Sequence, residues 1–152
     1  MTVTLREIDE NNWIECIFLT TNSENNHTLL EKFVASNAVS IAQSRIEKNW
    51  TIRAIYSDDV MVGFTMFGYS IKHGFHEICR LMIDRRYQQR GYGKNALQQV
   101  INVMRSQFNN PEIYLSFHSD NLVAKVLYEK TGFENTGKII DNEILYLLRP
   151  LD

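Results

Sequence analysis

The stretch best suited to chemistry runs from Ile83 to Leu97 and reads IDRRYQQRGYGKNAL. A strand end passes into a basic loop, two glycines and the first turn of a helix. Glycine lets a backbone approach a ligand closely, and the free N–H groups of a first helical turn point at whatever is bound. With the helix dipole they suit an anion, phosphate above all, and Arg90 and Lys94 add positive charge. The alternative is a glycine-bearing loop that only turns the chain. Two other phosphate patterns fit less well. A Walker loop needs G-x-x-x-x-G-K-[ST], whereas here the glycine spacing differs and Asn95 follows Lys94. The dinucleotide fingerprint is met in form by Gly91, Gly93 and Ala96. Its glycines should follow the first strand in a tight turn, and here the loop Asp84–Arg90 intervenes.

Glu77 begins the strand that ends at Ile83, and simple alternation puts Glu77, Cys79, Leu81 and Ile83 on one face. At strand rise the two ends lie about 20 Å apart, so Glu77 belongs far from the phosphate loop. It reads equally as a general base, a counter-ion for a cation, or a solvated edge residue. His76 beside it is a second proton acceptor. Asn121 and Tyr128 are two helical turns apart and share a face with Ala124 and Lys125, where Tyr128 by itself reads as a half-buried aromatic packing beside Leu127. Cys79 is expected to be a half-buried thiol, because a nucleophile needs a base beside it. His27, His73, His76 and His118 form no HExxH or paired spacing, so no metal site is expected. Glu24 and Glu31 are either solvated acids or partners for an ammonium group.

These residues must be positioned by alternating elements. Val3–Ile8 reads as a strand, and Asp9 as the cap of a helix carrying Trp13, Ile17 and Phe18. Leu29–Glu47 reads as helical in one or two pieces, with Ser36 or Asn37 capping the second. Trp50–Tyr56 and Val60–Ser70 form a hairpin about Ser57-Asp58-Asp59, and His76–Ile83 is the next strand. Leu97, Val100, Ile101, Met104 and Phe108 make one apolar helical stripe. Ile113–Phe117 is a short strand, Ser119-Asp120 caps a helix ending at Gly132, and Ile139-Ile140 and Ile144–Leu148 close a hairpin. Meandering strands followed by βα units imply an α/β (α+β) fold, a mixed and mostly antiparallel sheet with helices on both faces.

Composition sets the outer bounds. The 152 residues, 44% of them hydrophobic with only two prolines, suit one compact domain spanning 1–152 and exclude disordered or collagen-like chains. A net charge of −2 argues against a general nucleic-acid binder, and no apolar run reaches the roughly 18–20 residues of a membrane span. Two distant cysteines suit a reducing compartment, so a cytoplasmic protein is expected. Charge is uneven. Residues 1–60 carry nine acids against five bases, whereas Arg85, Arg86, Arg90, Lys94 and Arg105 follow one another with no acid among them. An acidic front and a basic middle suit a cationic ligand at one place and an anionic one at another.

Gln88-Gln89-Arg90-Gly91-Tyr92-Gly93 resembles the Q/R-x-x-G-x-G/A signature of the GNAT superfamily of acyl-CoA-dependent N-acetyltransferases, and it follows a strand ending Leu81-Met82-Ile83. The stretch from Asn121 through Ala124, Leu127 and Tyr128 to Gly132-Phe133 resembles that family's second signature, N-x-x-A-x-x-L-Y-x-x-x-G-F. Phe33–Ala42 and Val62–Gly68 are similar to the bacterial spermine/spermidine (diamine) branch. The resemblance implies acetyl-CoA as co-substrate, with its pyrophosphate on Gln88, Gln89, Arg90, Gly91, Tyr92, Gly93 and Lys94. It implies a pantetheine arm along Leu81, Met82 and Ile83 bonded by Asn121, and Tyr128 as the acid for the departing thiolate. Glu77 matches a glutamate base of some members, whereas polyamine enzymes can carry a carboxylate where Cys79 stands. The expected reaction is direct attack by a primary amine, most naturally a small-molecule polyamine. A protein N-terminus, an amino acid, an aminoglycoside or a non-catalytic sensor are the alternatives. Many members are dimers, so a homodimer is a further expectation.

Overall fold

The computed structural model describes residues 2–21 and 36–152. Glu24, His27, Glu31 and Phe33 lie outside the described residues, as does the first half of the helix expected from Leu29. The described elements run β1 (Val3–Arg6), α1 (Trp13–Phe18), α2 (Asn37–Ile46), β2 (Trp50–Ser57), β3 (Val60–Ser70) and β4 (Phe75–Ile83). After a 3-10 turn at Arg85–Tyr87 come α3 (Tyr92–Gln107), β5 (Ile113–Phe117), α4 (Leu122–Thr131), β6 (Glu134–Ile140) and β7 (Glu143–Leu148). The sheet order is β1-β2-β3-β4-β5-β7-β6. Neighbours pair antiparallel except β4 and β5, which run parallel.

Helices cover both faces. On one, Cys16 and Leu19 meet Ala54, Phe64, Met66 and Met82, with Ile41 of α2 packed alongside. On the other, the predicted α3 stripe of Leu97, Val100, Ile101 and Met104 buries against Phe67, Ile78, Ile113 and Leu115. Each such aliphatic or aromatic side chain contributes about 1.5–3 kcal/mol when fully buried. Ala124, Leu127 and Tyr128 of α4 pack against the same cluster.

Local expectations needed correction at two helix starts. Asp9 does not cap α1; its carboxylate accepts from the Asn11 amide at 2.8 Å, and the helix starts after Asn12 with no side-chain cap. Its buried residue is Cys16, while Phe18 is 77% exposed. The cap of α4 is Asn121, whose Oδ1 accepts from the Ala124 amide at 3.1 Å, not Ser119 or Asp120. Ser36 caps α2 as one of the two expected residues, accepting from the Val39 amide at 3.2 Å. Gly132 ends α4 in the left-handed region at φ 110°, where glycine is favoured.

Two irregularities in β4 shape everything that follows. Its pairing with β3 shifts between Met66–Arg80 and Phe67–Ile78, so Cys79 is an extra, bulged residue. Its pairing with β5 is confined to His76–Ile113 and Glu77–Tyr114. Beyond Glu77 the strands part, and β5 continues against β7 alone.

Candidate active site

The parting leaves one edge of β4 without a neighbouring strand among the described residues. In the antiparallel ladder with β3, the Asp84 amide donates to Val62 O at 2.8 Å. Arg80 and Met82, at even spacing from Asp84 in the same register, therefore direct their backbone groups at β3. The N–H and C=O groups of Leu81 and Ile83 point the other way, into the opening. Ile83 O already accepts from the Gln88 side-chain amide at 3.0 Å. Of the three residues expected along the opening, Met82 departs: its backbone belongs to β3 and its side chain is buried on the α1 face.

At the mouth of the opening stands the glycine loop. Asp84, 1% exposed, accepts from the Arg86 amide at 3.0 Å, from Arg86 Nε at 2.7 Å and from the Thr20 amide at 3.0 Å. Burial alone would raise its pKa, but these hydrogen bonds outweigh it and hold the carboxyl below the usual range. Arg86 is thus tied to Asp84, whereas Arg90 and Lys94 have no carboxylate partner among the described residues. Gln89 (φ 62°) and Gly91 (φ 86°) turn the chain through left-handed conformations into α3. The amides of Tyr92, Gly93 and Lys94 precede the first intrahelical bond, Asn95 N to Gly91 O at 3.2 Å, and no side chain caps them. Such unpaired first-turn amides are the groups expected to face an anion. Beside them a groove of about 480 Å³ lies between α3 and α4, lined by Lys94, Asn95, Gln98, Lys130 and Thr131.

Asn121 caps α4 and Tyr128 lies within it, packed against the α3 core. Asn121 Oδ1 is committed to its helix, leaving Nδ2 as the donor for a ligand. The Tyr128 ring sits 5.3 Å from Phe117 and 5.9 Å from Phe133, and its hydroxyl makes no hydrogen bond among the described residues. Burial, with some help from Glu143, pushes its phenol up to about 12.

The bulge reassigns Glu77. With Cys79 extra, Ile78 joins the α3 core together with Leu81, so Glu77 falls on the opposite face, that of Met82. Simple alternation put it with Leu81 and Ile83. The same bulge leaves Cys79 open to solvent at its outer edge. Desolvation around its sulfur, then the charge of Glu77, push the thiol up to about 12, so it is no thiolate at neutral pH. Glu77 is 6% exposed and no solvated edge residue. Its Oε2 meets His73 Nδ1 at 3.1 Å. Burial raises its pKa, His73 pulls it partly back, and Asp141 and Glu143 push it up. His76 points away from this cluster, its ring 5.1 Å from Tyr69 and 4.5 Å from Phe108. Burial lowers its pKa.

Sequence reasoning missed His73, Arg80, Asp141 and Glu143. Glu143 reaches the site because β7 is inserted beside β5, where Glu143 accepts from Ser116 at 2.9 Å. No local spacing announces that pairing. Among the described residues no cluster of three or more His, Cys, Asp or Glu is placed to hold a metal, and no helix is long and apolar enough to cross a membrane.

An open edge of β4 thus leads to the first turn of α3, in an α/β sheet with one parallel pair. The model of the Acetyltransferase (GNAT) family matches residues 23–133, and the chain belongs to that family. It is 33% identical over 91 residues to the spermine/spermidine N(1)-acetyltransferase of Bacillus subtilis (strain 168), a match spanning 56% of this chain and 60% of that protein. Among solved structures it is similar to the PaiA N-acetyltransferase from Thermoplasma acidophilum in complex with coenzyme A. That likeness has a TM-score of 0.73 at 17% identity, covering 99% of this chain and 100% of the other. RimL, a ribosomal alpha-N-protein acetyltransferase in complex with coenzyme A, gives a TM-score of 0.74 at 14% identity over 99% of this chain and 95% of its own. These structures share the fold predicted from the element order.

Proposed function

We propose that this protein transfers an acetyl group from acetyl-CoA to a primary amine of a polyamine. The single observation that carries the transfer reading is the free β4 edge, Leu81 and Ile83, running into the uncapped amides of Tyr92–Lys94. An extended arm bearing a pyrophosphate is complementary to both at once. Gln89, Arg90 and Lys94 serve the phosphates while Gln88 stays on Ile83 O, and Lys130 adds a third cation across the groove from Lys94. Asn121 Nδ2, with its Oδ1 taken up by the Ala124 amide, is left to donate to the arm.

The polyamine reading rests on the other end of the opening and on the name of the Bacillus relative. Glu77 and Glu143, with Glu47 at the end of α2, all act on Cys79, and Asp141 acts on Glu77. Arg80 and His73 offset only part of that charge. A chain of ammonium groups matches such a surface, whereas a neutral acceptor does not. Glu24 and Glu31 remain candidates for a distal ammonium.

The chemistry then runs along β4. The thioester carbonyl rests on the N–H of Leu81 or Ile83, which holds the developing oxyanion; a lost donor of this kind typically costs roughly 10²–10³ in rate. Glu77 takes the ammonium proton so that the nitrogen can attack directly. About 13 Å of strand separates Glu77 from Leu81, more than one water can bridge, so a chain of waters carries the proton between them. The thiolate leaves towards Tyr128.

The test is thiol release from acetyl-CoA with spermine, spermidine, a lysine peptide and an aminoglycoside, each against a no-amine control. Turnover selective for the polyamines is expected. Turnover with the peptide alone overturns the substrate assignment, and acetyl-CoA binding without release to any amine overturns the transferase reading.

A further inference from the structure

The buried acid Glu77 is held by a residue from a different turn. His73 lies in the turn between β3 and β4, anchored by its own amide on Ser70 Oγ at 3.1 Å. Its Nδ1 meets Glu77 Oε2 at 3.1 Å, and its Nε2 meets Asp141 Oδ2 at 3.3 Å. Asp141 sits at the tip of the β6–β7 turn with φ 49°. Two hairpin tips, remote in sequence, thus clasp one imidazole between two carboxylates. Side-chain exposure rises from 8% at Glu77 through 16% at His73 to 61% at Asp141, so the buried acid is the one braced from outside.

We propose that His73, braced by Asp141, is a positioning residue for Glu77, pinning Oε2 so that Oε1 is presented to the water chain that leads to the amine. This rests on the reading of Glu77 as proton acceptor. Oε1 makes no hydrogen bond among the described residues, as a base awaiting a substrate requires. A free glutamate side chain has several rotamers, whereas one oxygen fixed on a ring that is itself fixed leaves few. The arrangement repeats the logic by which a third group orients a base.

Other charged groups face this cluster. Lys72 lies 3.5 Å from Asp141. Glu143 of β7 and Asp141 raise the Glu77 pKa, and His73 lowers it. Tyr114 of β5 is opposite Glu77 in register, Cys79 follows it on its own strand, and His76 points to the other face.

The experiment is the pH dependence of kcat and kcat/KM at saturating acetyl-CoA for the unaltered protein, Glu77→Gln, His73→Ala, His73→Asn and Asp141→Ala. His73→Ala is expected to lower the kcat plateau roughly 10- to 100-fold, the scale of a misplaced reacting group. Because His73 holds the Glu77 pKa down, its loss also moves the acidic limb to higher pH. His73→Asn restores a donor near the Nδ1 position and should recover most of the plateau and, because the hydrogen bond is the larger of the His73 effects on Glu77, much of the limb displacement as well. Asp141→Ala should lower the plateau less than His73→Ala. An unmoved limb in His73→Ala overturns the proposal, as does a plateau loss that Asn does not recover; either leaves Glu77 as base if Glu77→Gln still abolishes the limb. If Glu77→Gln leaves the profile unchanged, the base reading fails and the proposal falls with it. Circular dichroism checks each fold, and His73→Asn serves where His73→Ala does not fold.

Discussion

Replacing Tyr128 by Phe isolates one oxygen atom at the leaving-group end of the opening. The ring keeps its contacts with Phe117 and Phe133, and the hydroxyl surrenders no hydrogen bond to the described protein. Thermal stability should therefore stay within about 0.5 kcal/mol of the parent. The expected kinetic effect follows from the phenol's acidity. At about 12 it lies roughly 3.5 units above an ordinary thiol, so full proton transfer to the thiolate is uphill by about 5 kcal/mol. Hydrogen-bond donation to the developing charge carries no such cost. Hydrogen bonds to charged groups are worth about 1.5–3 kcal/mol, or roughly 10- to 150-fold in kcat. Steady-state kinetics with saturating amine should show that loss with little change in KM for acetyl-CoA. An acyl donor with a more acidic thiol needs less help and should narrow the gap. Since the phenol titrates near 12, any alkaline limb below about pH 10 should be the same in both proteins. An unchanged kcat refutes the role of the hydroxyl, and a loss accompanied by a lower melting temperature reassigns Tyr128 to packing.

Asp84→Asn should raise KM for acetyl-CoA and lower stability by about 1–3 kcal/mol, because the 3-10 turn and the chain at Thr20 both hang on this buried carboxylate. Its folded pKa is depressed, so its contribution is present above the unfolded value of about 3.9 and is lost as pH falls through the folded one. Melting curves at pH 7 and pH 3 should show the two proteins converging in acid; a constant gap contradicts the assignment. Gly63→Ala would press a methyl group against Met82 O and place it 2.9 Å from Ile83 Cδ1, on the stretch of β4 that ends at Ile83. A stability loss of about 1–3 kcal/mol and reduced turnover are expected, and an unaltered melting temperature with full activity would show that β4 yields freely.

What could be read before the structure was local. The apolar stripe of α3, the glycine entry at Gly91, the Gly132 stop and the strand Val60–Ser70 each depend on residues within a turn or two. Helix caps failed where several polar residues compete: Asp9, Asn11 and Asn12 bond to one another, and Asn121 outcompetes Ser119 and Asp120 for the start of α4. The exposed Phe18 shows that apolar type alone does not choose the buried face of a six-residue helix.

The glycine loop and the order of its flanking elements were therefore written in the chain itself, because contiguous residues build them through backbone geometry. The rest of the site was not. One extra residue at Cys79 turns Glu77 to the other face, and a period-2 pattern cannot announce a bulge that exists only against Met66 and Phe67 of the neighbouring strand. The free edge of Leu81 and Ile83 arises because β5 leaves β4 to pair with β7, a choice made by sheet order. The His73–Glu77–Asp141 clasp joins two turns 68 residues apart, and only packing brings such groups within hydrogen-bond reach.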